Sequence, residues 1–412
     1  MARSSRRIGG RFVALVRADL PGVRAGFIAL LISSVGSLVT GVTLGSITGT
    51  LEALPGLIVL IPAAIGMRGN VFGALGSRLG TQIHAGTFRW SNRVDTEAGQ
   101  NAAAAMASSV VVAAVLAVLA EVVSVAFGHG PTISVLDFMV VSVVAACLSA
   151  VVVLAITVAV AVFCARRDLD LDNVSAPIVT AAGDMVTLPS LFLATYLLGF
   201  PVLTPLLAAA SIALAVGVFA VALRTRGLPI LRRVVLESLP VLVAAGIVDL
   251  VAGMTIERRL DAFITYPALL VLVPGFLEDS GALGSILSAR ISTRLHLGTL
   301  GDGRPRLRNA VEDVMLVGAY ALPVFTSLGL SATLAAHLLG RPGPGWAAML
   351  GVALLAGVLA TTAAVLVGFH AAVATYRFGL DPDNHGIPIV SSSLDLLGVL
   401  SLILAIVALG LT

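Results

Sequence analysis

One motif occurs twice in this chain, and a duplicated unit restricts the fold to two copies of a single architecture. The first copy reads Leu169-Asp170-Leu171-Asp172-Asn173, then Pro177-Ile178-Val179, then Asp184. The second reads Leu380-Asp381-Pro382-Asp383-Asn384, then Pro388-Ile389-Val390, then Asp395. Residues 55–87 also align without a gap with 267–299, pairing Pro55 with Pro267, Pro62 with Pro274, Gly69 with Gly281, Arg78 with Arg290, Thr81 with Thr293 and His84 with His296. The duplication therefore extends well beyond the aspartate motif.

Composition fixes the solvent in which the two units fold. With 58% hydrophobic and 11% charged residues, and a mean hydropathy of +1.05, the chain is far from the roughly 25% charge of soluble domains. Apolar stretches of membrane-spanning length recur to the C-terminus, which predicts an all-α polytopic membrane protein. Spans are expected near residues 25–47, from Pro55 through the run 66–70, then near 102–127, 136–164 and 177–199, then 204–223, then 238–255, 266–288, 310–337, 346–375 and 387–411. The expected plan is two parallel five-helix repeats joined by one extra transmembrane helix, about 11 spans in all. The corresponding divisions are a basic arm (1–24), a first repeat (25–199), a linking helix and basic loop (200–237), and a second repeat (238–412). Internal repeats of this kind are a common construction of transporters. The Pro and Gly content of the second span, with Pro62 and Gly66-Met67-Arg68-Gly69-Asn70, predicts a broken or kinked helix.

Charge sets the expected orientation. Every basic residue is Arg, and the 25 of them cluster in the connections. Five spans alone would invert the second repeat; the extra span restores its direction. In that parallel plan only Arg258, Arg259 and Arg341 fall outside, Arg68 lies within a span, and the remaining Arg are cytoplasmic, as the positive-inside rule requires. The N-terminus is then cytoplasmic and the C-terminus outside. Ser5-Arg6-Arg7 is expected to belong to an uncleaved cytoplasmic arm lying on the inner leaflet. The net charge of +3 reports topology and not a nucleic-acid surface. Cys147 and Cys164 read as apolar fillers.

The chemistry is expected at Asp184 and Asp395. An ionisable side chain within an apolar span is costly and usually faces partners, water or an ion. If a helix begins at Pro177, Thr180 and Asp184 share a face at i,i+4, as do Ser391 and Asp395. Oxygen ligands of this kind suit hard cations, and Mg²⁺ usually keeps several of its waters. The bland alternative is a buried Asp bracing a neighbouring helix. The acidic turns at Asp170, Asp172, Asp381 and Asp383 either concentrate cations at the cytoplasmic mouth or cap helices. The second spans differ: Arg68 and Asn70 in one copy face Glu278, Asp279 and Ala282 in the other, so Arg68 is a candidate partner of Glu278 or Asp279. His84 and His296 read as structural residues at helix ends, and Asn101 and Asn309 as caps or pore groups. Glu121 and Asp249 are isolated acids to which no role is given.

These residues resemble a known family. The run Gly66-Met67-Arg68-Gly69-Asn70, with Pro177, Thr180 and Asp184 of the fifth span, resembles the membrane domain of MgtE-type magnesium transporters. The doubled arrangement, with Ser77-Arg78-Leu79-Gly80-Thr81 and Ala289-Arg290-Ile291-Ser292-Thr293, looks like solute-carrier family 41. The resemblance implies a pore between the halves, lined by the second and fifth spans of each. It implies divalent cation transport, chiefly of Mg²⁺, across the cytoplasmic membrane, with Asp184 and Asp395 as principal ligands and Thr180, Ser391, Asn70, Glu278 and Asp279 around them. No cofactor is implied beyond the transported ion. The partners are the ion and the bilayer, with no nucleic acid, and a single chain suffices for the pore. Arg68 stands where the family pattern has Gly, and Ala282 where it has Asn. The resemblance does not extend to cytosolic magnesium-sensing domains. Alternatives are transport of Co²⁺, Mn²⁺, Zn²⁺ or a small organic cation, Mg²⁺ export coupled to Na⁺ or H⁺, and, in another class, an intramembrane enzyme acting on lipid headgroups.

Overall fold

Lipid offers the backbone no hydrogen-bond partners, so each spanning segment must satisfy its own N–H and C=O groups, and here each does so as a helix. The computed structural model describes residues 20–411 apart from 90, 92, 129–131, 168–170, 226, 301–304 and 381–384. Its long helices are α1 (Leu20–Ser46), α3 (Leu57–His84), α4 (Glu97–Ala126), α5 (Val135–Arg167), α6 (Leu171–Thr195) and α7 (Leu203–Arg224), followed by α8 (Pro229–Glu257), α10 (Pro267–His296), α11 (Val311–Leu338), α12 (Trp346–Phe378) and α13 (Ile387–Ala408). Among the described residues, 11 helices are long and apolar enough to cross a membrane. The protein is an all-α, multi-pass membrane protein.

Two short helices, α2 (Thr48–Ala53) and α9 (Leu260–Thr265), precede the second spans. They occupy equivalent places under a shift of 212 residues and were not legible as apolar spans. The 3-10 turn Leu307–Ala310 leads into α11.

The second spans are unbroken, and the fifth span of the first repeat starts earlier than expected. The second span is one continuous helix, α3, with Pro62 inside it, and α10 likewise runs through Pro274. Both helices are the most enclosed of the spans, so neighbouring helices hold the backbone where proline removes a bond. The fifth span of the first repeat starts at Leu171, so Pro177 lies in its second turn instead of opening it. In the second repeat Pro388 does stand at the helix start. The basic arm at 1–19 and Asp168, Asp170, Asp381 and Asp383 lie outside the described residues.

The packing is an exchange between the repeats. Helix α1 packs on α6 of its own repeat but also on α10 and α11 of the other; α8 packs on α13 of its own repeat and on α3 and α4 of the other. Small residues permit these crossings. A Cβ on Gly41 would stand 2.0 Å from the Val271 carbonyl oxygen, and one on Gly253 would stand 2.4 Å from the Val59 carbonyl oxygen. Gly41 and Gly253, like Val59 and Val271, are related by the same shift of 212 residues. The same contact is thus made twice, across two interfaces. The extra helix α7 leans on α4 and α5 and leaves most of its surface exposed.

Candidate ion site between the repeats

The exchanged helices bring acidic side chains of both repeats together in the middle of the bundle. Asp184 of α6 is 1% exposed, and Ser37 of α1 donates a hydrogen bond to its Oδ2 at 3.0 Å. Ser37 belongs to the stripe of small residues that lets α1 approach α6, where a Cβ on Gly36 would meet Ala181 at 2.5 Å. From the other repeat α10 contributes Glu278, whose Oε1 accepts from the Ser33 hydroxyl at 2.9 Å. The neighbouring Asp279 is wholly buried and accepts from Ser34 at 2.7 and 2.9 Å. Glu278 and Asp184 lie within electrostatic range of each other.

Across the pseudo-two-fold, Asp395 of α13 is buried within electrostatic range of Asp249, Glu278 and Asp184. Its approach to Asp249 of α8 is close. A Cβ built on Gly66 would stand 2.9 Å from Asp249 Oδ2 and 3.4 Å from Asp395 Oδ2. The two carboxylates therefore meet over a glycine of α3, in space that any larger residue would fill. Asp249 is 1% exposed, lies beside Ser392, and has no hydrogen bond to either oxygen.

The electrostatics of this centre are one-sided. Four carboxylates converge, and their described partners are serine hydroxyls, with no guanidinium among them. Burying like charges without a counter-charge is strongly unfavourable. Such a cluster is stable only when cations or protons supply the missing charge. Among the described residues no three His, Cys, Asp or Glu side chains already stand close enough to hold one bare ion. The groups are arranged in pairs, Asp184 with Glu278 and Asp395 with Asp249.

Several expected site residues are placed elsewhere. Arg68 is buried, with Nε and Nη1 lacking partners, and does not pair with Glu278 or Asp279. Its side chain rises from α3 beside Gly183 of α6, within electrostatic range of Cys147 of α5. The serines of α1 have taken the partners proposed for it. Asn70, one turn along α3 from Gly66, lines a narrow cavity with Arg78, Ser108, Ser238 and Pro388. Thr180 rests against Gly69, and Ser391 against Gly281, so each lies on the face of its fifth span that meets its own second span. His84 and His296 are the last residues of α3 and α10; His296 Nδ1 lies 2.8 Å from the Ser292 carbonyl oxygen. Asn101 and Asn309 serve backbone carbonyls of Glu97 and Leu300. Glu121 accepts from Thr132 at 2.8 Å. Cys147 and Cys164 form no disulfide.

Sequence reasoning missed Ser33, Ser34, Ser37 and Asp249. A signal for two of them was present: extending the repeat upstream by the same shift of 212 residues pairs Ser37 with Asp249, just as it pairs Gly41 with Gly253.

A multi-pass helical bundle with paired carboxylates at a two-fold interface belongs to the class of ion-handling membrane proteins. Comparison with known proteins gives the family. The model of the MgtE family, described as a divalent cation transporter, matches residues 61–194 and again 273–405. Solute carrier family 41 member 3 of Rattus norvegicus is 25% identical over 416 residues, covering 90% of this chain and 84% of that protein. Solute carrier family 41 member 2 of Xenopus laevis is 26% identical over 385 residues, covering 83% of this chain and 63% of that protein. No solved structure matches. The chain belongs to the MgtE family of divalent cation transporters; it is a transporter and not an enzyme.

Proposed function

We propose that the protein carries Mg²⁺ across the cytoplasmic membrane along a path between the two repeats, with Asp184 and Asp395 holding a largely hydrated ion. The observation that carries this reading is the convergence of those two carboxylates from opposite repeats, with Glu278 in range of both. The donors are all carboxylate and hydroxyl oxygens, which favours a hard cation over soft metals. Paired carboxylates that do not already close as a set of three on one point suit an ion that keeps part of its water shell, since Mg²⁺ dehydrates reluctantly. Asp279, held by Ser34, is assigned to supporting Glu278; Thr180 and Ser391, one turn from the aspartates, are assigned to the approach. Asn70 is assigned to the adjoining cavity that it lines.

Both repeats belong to one chain, so a single chain suffices for the path, whatever its oligomeric state. In the membrane the Arg distribution orients the N-terminus to the cytoplasm and the C-terminus outside. A divalent ion moving inward gains about 4.6 kcal/mol per 100 mV, twice the gain per unit charge, which favours uptake. A second reading, export of Mg²⁺ coupled to an entering cation, draws on the excess of carboxylates over what one divalent ion neutralises.

The test is Mg²⁺ flux into and out of proteoliposomes for the wild type, Asp184→Asn and Asp395→Asn. Each substitution is expected to reduce flux at least about tenfold, the scale of loss for weakened metal sites. Wild-type flux from both variants would refute the assignment.

A further inference from the structure

The two repeats place their second carboxylate on different helices. In one interface the pair is Asp184 and Glu278, the latter on the second span of the opposite repeat, and the first span supplies hydroxyls alone, Ser37 to Asp184 and Ser33 to Glu278. In the other interface the pair is Asp395 and Asp249. There the equivalent of Ser37 is Asp249 itself, and the equivalent of Glu278 is Gly66. The carboxylate has changed helices, and the residue opposite it has shrunk to make room. A Cβ on Gly66 would meet Asp249 Oδ2 at 2.9 Å.

We propose that Asp249 is an ion-binding residue that plays in the second interface the part Glu278 plays in the first, so that the path holds two equivalent half-sites, Asp184 with Glu278 and Asp395 with Asp249. Asp249 is 1% exposed and neither of its oxygens accepts a hydrogen bond. A carboxylate buried to brace the fold would be tied to donors, as Asp279 is to Ser34 and Asp313 to Arg290 and Arg294. Asp249 instead lies against Asp395, beside Ser392, and a cation held between the two carboxylates supplies the charge that the pair lacks. A divalent cation, alone or with its waters, matches two facing carboxylates in charge and in donor type. The inference rests on the transport reading above, with Asp395 as a ligand.

The equivalence makes an unusual prediction: the carboxylate can be moved back. Asp249→Ser restores the residue type of Ser37, and Gly66→Glu restores that of Glu278. In the double variant the Asp249 atoms that a Gly66 side chain would strike are gone, and the nearest remaining oxygen is that of Asp395 at 3.4 Å. Mg²⁺ flux in proteoliposomes and the Mg²⁺-dependent rise of the melting temperature in detergent are measured for each variant. Asp249→Ser and Asp249→Asn are expected to raise the half-saturating Mg²⁺ concentration by about 10- to 100-fold, the range seen when metal sites lose a supporting group. Gly66→Glu alone is expected to be inactive, because its side chain collides with Asp249. The double variant is expected to regain at least half of wild-type flux and the Mg²⁺-dependent protection.

The outcomes separate the two claims. If Asp184→Asn and Asp395→Asn abolish flux while both Asp249 variants behave as wild type, Asp249 is no ligand and the inference falls alone. If the Asp249 variants are impaired and the double variant is no better than either single one, the half-sites are not equivalent and the inference falls. If Asp395→Asn itself has no effect, the transport reading falls first. The Mg²⁺-dependent melting shift guards against misfolding: a folded Asp249→Asn variant that keeps the wild-type shift overturns the proposal without recourse to flux.

Discussion

Replacing Gly41 with Ala tests the link between helix packing and the ion site. A Cβ at residue 41 would lie 2.0 Å from the Val271 carbonyl oxygen, against a practical lower limit of 3.0 Å. Both atoms belong to backbone or are fixed to it, so α1 and α10 must part by about 1 Å at the crossing, because rigid cores do not absorb such overlap locally. Overpacking of this kind costs about 1–3 kcal/mol. The same separation stretches the Ser34–Asp279 and Ser33–Glu278 bonds, now 2.7 and 2.9 Å, past the distance at which they count as hydrogen bonds. Cross-helix hydrogen bonds in membranes average about 0.6 kcal/mol each, so their loss adds about 1 kcal/mol. The sum, roughly 2–4 kcal/mol, is a large part of a folded protein's margin of about 5–15 kcal/mol.

Thermal unfolding in detergent and Mg²⁺ flux in proteoliposomes measure the two consequences. The variant is expected to melt earlier and to transport less, because Glu278 has lost its anchor. Gly253→Ala, facing Val59 at 2.4 Å, is expected to behave alike in the other interface. Gly217→Ala on α7, with nothing within 4 Å, is the control and is expected to match the wild type. A Gly41→Ala protein as stable and active as that control would refute the argument that the exchanged helices are packed backbone to backbone.

Two further outcomes follow from charges outside the carboxylate centre. Arg68→Met removes a buried guanidinium that has no partner on Nε or Nη1, and exchanging an ill-satisfied buried charge for an apolar side chain of similar length is expected to stabilise by about 1–4 kcal/mol, read as a higher melting temperature; a lower one would mean that Arg68 has an anionic partner. By the same logic, Arg68→Asp combined with Asp279→Arg is expected to rescue nothing, because those side chains do not meet. Asp313→Asn strips the partner from Arg290 at 2.9 Å and Arg294 at 2.5 Å; since both Arg side chains are about a quarter exposed, the loss is expected below the roughly 3–5 kcal/mol of a fully buried pair, and an unchanged melting temperature would show that pair to be idle.

Much of this protein was legible in its sequence, because lipid makes the demands on a spanning chain simple. A segment of sufficient length and apolarity must be a helix, so the spans from α1 to α13 could be placed from hydropathy, and the constant spacing between equivalent residues made Asp184 and Asp395 stand out. What could not be read was which repeat each first span would pack against. Hydropathy records that α1 and α8 are buried in a membrane but not beside whom. That depends on whether the backbones at Gly41 and Val271, and at Gly253 and Val59, can touch. The exchange that results delivers Ser33, Ser34 and Ser37 to carboxylates far away in sequence, leaves Arg68 unpaired with Asp279, and brings Asp249, an isolated acid without a role in the sequence reading, against Asp395. The sequence by itself determined the helices, the duplication and the two central aspartates, all of which follow from local composition and periodicity. Only the tertiary structure decided who completes the site, because that depends on close approach between segments of opposite repeats, and a one-dimensional pattern carries no record of contact.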